Sequence, residues 1–163
     1  MSTARLIVRR RIGDIETPVG AMLKLGDDQP GSFLFESIAG GQRLGRYSFI
    51  GLEPEQWFRI QDGVAETASD AAFSDAVKMD ATPVAALRAF VASARAETDT
   101  PLPPMASGAF GYVGYDMIQH VEPVAITAED TLDVPEALLV IPPRTPARGA
   151  AQGPEARRSD AHF

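Results

Sequence analysis

The chain has 163 residues, 45% of them apolar, with a net charge of −7 and no cysteine. That is about one domain with enough apolar content for a core, and the acidic balance argues against nucleic acid or anionic membranes as main partners, because binding them takes clustered Lys and Arg. Without thiols there is neither a disulfide framework nor a thiolate metal site, His120 and His162 are too few for a histidine-based one, and no secretory h-region or run of about 18 apolar residues occurs, so a soluble cytoplasmic protein is expected.

In chain order, "RLIVRRRI" near the start reads as a strand, with β-branched Ile7, Val8 and Ile12. "ETPVGAMLKLGDD" reads as a short helix. Thr17 is placed to cap it, Pro18 sits at the first helical position where its missing N–H costs nothing, and Gly26 ends it, with Val19, Met22 and Leu23 at helical spacing. "SFLFESI", "RYSFIGL" and "QWFRIQ" are short, aromatic and β-branched runs between turn residues, and three such strands in succession predict an antiparallel meander. Residues 62 to 81 are small and acidic and read as a loop at a strand edge. "TPVAALRAFVASARAE" repeats the Thr-Pro opening and predicts a helix with Val84, Leu87, Val91 and Ala94 as its apolar stripe. "ASGAFGYVGYDMIQHVE" predicts a glycine-punctuated strand running into a helical turn, and "VPEALLVI" a last apolar strand. The fold class expected is α+β, an antiparallel sheet with helices packed on one face, in one domain over residues 1 to 141.

Residues 142 to 163 differ in composition. Arg144, Arg148, Arg157 and Arg158 stand against Glu155 and Asp160, and Pro, Ala and Gly fill much of the rest. A segment without apolar period buries too little surface to offset an ordering cost of about 1–2 kcal/mol per residue, so a disordered tail is expected.

Two glycine groups invite a nucleotide reading. In "ESIAGGQRLGRYSFIG", Gly40 and Gly45 have the spacing of a P-loop, but Arg46 and Tyr47 stand where a Lys and a Ser or Thr are needed, and a strand rather than a helix follows. Gly108, Gly111 and Gly114 recur every third residue with Phe110, Tyr112 and Tyr115 among them, which fails the dinucleotide spacing and instead describes a strand crossed closely by another backbone or by large rings. Most carboxylates fall in loops and suit solvated faces. Glu36 differs, because it sits inside the apolar run "FLFES". With Ser37 beside it and Arg46 across the turn, it suits either a salt bridge across a hairpin or a small pocket for a zwitterion, the carboxylate taking an ammonium and the guanidinium a carboxylate.

"ETPVGAMLKL", "FLFESIAGGQRLGRYSFIGLEP" and "PPMASGAFGYVGYDMIQHVE", in this order and spacing, resemble the N-terminal portion of the anthranilate synthase component I family over residues 5 to 141. The resemblance implies a large subunit whose N-terminal part helps form a feedback site for L-tryptophan. A chorismate-binding part, not represented in this sequence, would carry the magnesium carboxylates, and a glutamine amidotransferase subunit or domain would deliver ammonia. The family's "LLES" motif matches Leu34, Phe35, Glu36 and Ser37, with Phe35 departing from Leu. Glu36 and Ser37 thereby inherit the tryptophan-site role, Arg46 joins them through "GRYSF", and no catalytic residue or metal ligand is expected in the chain. The related aminodeoxychorismate synthase of folate synthesis, or a structural remnant without ligand, are the alternatives. After "DVPEALLV" the family wording stops and "IPPRTPARGAAQ" follows, the kind of switch a shifted reading frame in GC-rich DNA gives. A truncated or frameshifted lyase-family product, inactive alone, is the expectation.

Overall fold

A computed structural model describes residues 15–26, 28–36, 48–95, 107–127 and 130–143. The strand expected at residues 5 to 12 and nearly all of the expected tail lie outside the described residues. Helix α1 (Pro18–Leu25) opens where its sequence says it should: Thr17 Oγ1 accepts a hydrogen bond from the Gly20 N–H at 3.0 Å, Pro18 fills the first turn, and Gly26 closes the helix in the left-handed conformation with its N–H on the Met22 carbonyl. Only Met22 of its apolar residues is buried, while Val19 and Leu23 are exposed.

Strands β1 (Phe33–Glu36) and β2 (Ser48–Gly51) form a separate antiparallel pair, with α1 packed against both. A five-stranded antiparallel sheet is built from β3 (Gln56–Gln61), β4 (Val64–Ala68), β5 (Val77–Lys78), β6 (Phe110–Val113) and β7 (Ala137–Ile141) in the spatial order β5-β4-β3-β7-β6. The mixed α+β class is as expected, but the meander is not. β1 and β2 pair as read, whereas β3 turns away from β2 and pairs with β4 and β7. The supposed loop at residues 62 to 81 holds β4 and the edge strand β5.

One face of the large sheet carries Phe58, Ile60, Ala65, Ala137, Leu139 and Ile141, covered by helix α2 (Pro83–Ser93) and by Met117 of the 3-10 helix Tyr115–His120. The buried face of α2 is Ala86 and Phe90, continued by Ala94, with Val84 and Leu87 at its border and Val91 exposed. This is about a quarter turn from the stripe predicted, because the Phe90 ring stacks on Phe58 with centroids 4.8 Å apart and sets the rotation of the helix. The opposite face carries Trp57, Ala68, Phe73, Phe110 and Val140, joined by Phe33 from β1. Thus β7, between β3 and β6 and covered on both faces, reads as a continuous apolar run.

The close backbone approach anticipated for the glycines is met at Gly111 and, more loosely, at Gly114, but not at Gly108, where nothing lies within 4 Å of a Cβ. Gly111 has φ 149°, and a Cβ there would overlap the Leu138 carbonyl oxygen of β7, so β6 lies against β7 at a separation only glycine permits.

Candidate functional site

Glu36 is the last residue of β1 and is exposed, directly opposite Ser48 at the start of β2. Ser37 and Arg46 lie outside the described residues, so neither the hairpin salt bridge nor the zwitterion pocket is tested by geometry. The described part of the arrangement is the carboxylate of Glu36 at the end of a strand pair whose two chains lie side by side. Gly40 and Gly45 lie outside the described residues, and the first described element after them is strand β2, not a helix.

Behind Glu36 stands an aromatic cluster. Phe33 and Phe35 alternate with Leu34 and Glu36 along β1, so the two rings share one face and Glu36 takes the other. On their face they meet Phe110 of β6: the Phe33 and Phe110 centroids are 4.6 Å apart, Phe33 and Phe35 5.0 Å, and Phe35 and Phe110 6.1 Å. Phe33 lies across Gly51, its partner in β2, where a Cβ would overlap the ring.

Other polar groupings are explained by the fold. Arg59 and Glu66 face each other across β3 and β4, with both the Nε and one terminal nitrogen of Arg59 donating to Glu66 Oε2 at 3.0 and 2.9 Å. The guanidinium also lies 4.2 Å from the centroid of Phe73, whose backbone has φ 55°. Glu136 accepts from the Gly63 N–H at 2.9 Å and contacts His120 Nε2, tying the β3–β4 turn, the 3-10 helix and the entry to β7 together. Tyr112 donates its hydroxyl to the Pro135 carbonyl at 2.9 Å, and burial pushes its phenol up from the ordinary range. An open groove of about 380 Å³ between β4, β5 and α2 has Thr67, Asp75, Met79 and Phe90 among its walls. Asp75 is held below the ordinary aspartate range by hydrogen bonds from the backbone and side chain of Ser69.

Among the described residues no group of three or more His, Asp or Glu side chains could hold a metal ion. Nor is any helix among them long and apolar enough to cross a membrane. The aromatic cluster was missed from the sequence. Its signal was the Phe-x-Phe spacing in "FLFE", which reads only as strand until Phe110 is brought to it from far along the chain.

No family model matches the chain. Among curated proteins, anthranilate synthase component 1 of Cereibacter sphaeroides is 36% identical over 140 residues, which is 85% of this chain and 28% of that protein. The Arthrobacter globiformis protein of the same name is 37% identical over 128 residues, 78% of this chain and 24% of its own length. A crystal structure of anthranilate synthase component I from Streptococcus pneumoniae matches 83% of this chain and 28% of its own, with a TM-score of 0.49 and 22% identity. The chain spans about a quarter of the length of the curated relatives it matches. With identity of this order along most of its length, the chain belongs to the anthranilate synthase component I family and corresponds to the N-terminal quarter of its members.

Proposed function

We propose that the chain is the regulatory N-terminal part of an anthranilate synthase large subunit, holding L-tryptophan as feedback effector through Glu36, Ser37 and Arg46. The observation that supports this best is the placement of Glu36 opposite Ser48 at the end of the β1–β2 pair, a carboxylate presented to solvent at the point where the chain carrying Ser37 and Arg46 leaves and returns. A carboxylate there receives the α-ammonium of an amino acid, the Ser37 hydroxyl adds a hydrogen bond, and Arg46 takes the α-carboxylate in a forked pair. The whole subunit would convert chorismate to anthranilate with magnesium held by its remaining part and ammonia supplied by a glutamine amidotransferase partner. This chain by itself carries regulation and not turnover.

Isothermal calorimetry of the chain with L-tryptophan tests the reading. Saturable binding is expected, and Ser37→Ala weakens it roughly tenfold to a hundredfold, the consequence of losing one hydrogen bond to a charged group at about 1.5–3 kcal/mol. Absence of saturable heat in a folded wild-type chain, or equal affinity of Ser37→Ala, counts against it.

A further inference from the structure

We propose that Phe110, on a different sheet and 74 residues beyond Glu36, is a positioning residue for the effector site, fixing β1 through Phe33 and Phe35. The inference rests on the effector reading of Glu36. A lone two-stranded pair is marginal in water, so β1 and β2 must borrow order from what they touch. The large sheet reaches β1 through aromatic rings. Phe110 is 8% exposed and paired with Val140 of β7, and from there it stacks on Phe33 at 4.6 Å. Phe33 is itself seated over Gly51 and continues to Phe35, whose backbone neighbour is Glu36. The path from β7 to the effector carboxylate is therefore one cross-strand pair, two ring contacts and one peptide bond. Leucine in place of any ring keeps the apolar surface but loses the face geometry that sets the ring positions.

Hydrogen exchange of the full chain, read by residue, separates positioning from general stability. In Phe110→Leu the protection of the amides of Phe33–Glu36 is expected to fall about tenfold, while that of Trp57–Ala68 stays within about threefold. Phe110→Tyr, which keeps the ring, restores it. Phe35→Leu, at a half-exposed position where folding is not at risk, loosens the same strand. By calorimetry the L-tryptophan Kd is expected to rise roughly threefold to tenfold in both leucine variants and to recover in Phe110→Tyr, since a smaller fraction of chains holds Glu36 ready. An even loss of protection over both sheets, no loss at β1, or loosening of β1 without a change in Kd overturns the proposal. If the wild-type chain binds no L-tryptophan while β1 still loosens selectively, the effector reading fails and the fixing of β1 by Phe110 stands.

Discussion

Replacing Gly111 with alanine should be among the costliest single-methyl changes in this chain. Two penalties combine. At φ 149° the residue occupies backbone space that L side chains rarely adopt, worth about 1–3 kcal/mol. The added Cβ also overlaps the Leu138 carbonyl oxygen and falls 2.9 Å from the Leu139 Cα, and both atoms belong to the backbone of β7, an inner strand of the sheet. Relief requires β6 to move off β7 and stretch the register that pairs Phe110 with Val140 and Tyr112 with Leu138, a further strain of about 1–3 kcal/mol. A total of about 2–6 kcal/mol is a large share of the 5–15 kcal/mol that holds an ordinary domain folded. Gly108 supplies the control: its φ of 157° carries the same backbone penalty, but nothing lies within 4 Å of a Cβ there, so Gly108→Ala should cost only that penalty of about 1–3 kcal/mol. Urea unfolding followed by the fluorescence of Trp57, the single tryptophan and a buried residue of β3, measures both. If the two variants lie within about 1 kcal/mol of each other, the backbone approach at Gly111 is not what the glycine is there for.

Thr17→Ala removes the side-chain cap on the Gly20 N–H and should cost about 1 kcal/mol, seen as faster exchange of the α1 amides with the five-stranded sheet unchanged. Because hydrogen bonds from Ser69 hold the Asp75 carboxyl below its ordinary value, the group stabilises the fold above the ordinary aspartate pKa of about 3.9, and that contribution is lost as pH falls through the lower folded value. Asp75→Asn should accordingly narrow the stability difference between neutral and acid pH, and an unchanged acid limb in denaturation across that range would contradict the assignment. The purified chain should form no anthranilate from chorismate, magnesium and ammonia, and fluorescence of the product above a blank would show that turnover resides in this part of the subunit.

Features written into adjacent residues were legible in the sequence. Thr17, Pro18 and Gly26 mark both ends of α1 because caps and breakers act on the backbone within one turn. The glycine-punctuated strand and the turn after it were also readable, and the close approach read from the glycines holds at Gly111 and Gly114, where a Cβ would meet the backbone before and within β7, though not at Gly108. Family membership was legible too, carried by long stretches of ordered wording. The candidate site was readable only in part: Glu36 stood out as a charge inside an apolar run, and the structure puts it at an exposed strand end opposite Ser48.

Pairing and rotation were decided by tertiary contacts. "QWFRIQ" follows β2 closely, yet its partners are β4 and β7, because backbone hydrogen bonding is the same for any strand and the choice falls to side chains that meet only on folding. β4, with the unpromising run "VAETA", is a strand because Ala65 lies under the core opposite Ile60 and Glu66 finds Arg59 across the ladder. Helix α2 was certain as a helix, but the face it buries was fixed by Phe58, a residue of another element against which Phe90 stacks. The same holds for the rings behind Glu36: local sequence can place Phe33 and Phe35 on one face of a strand, and only the fold brings Phe110 to that face.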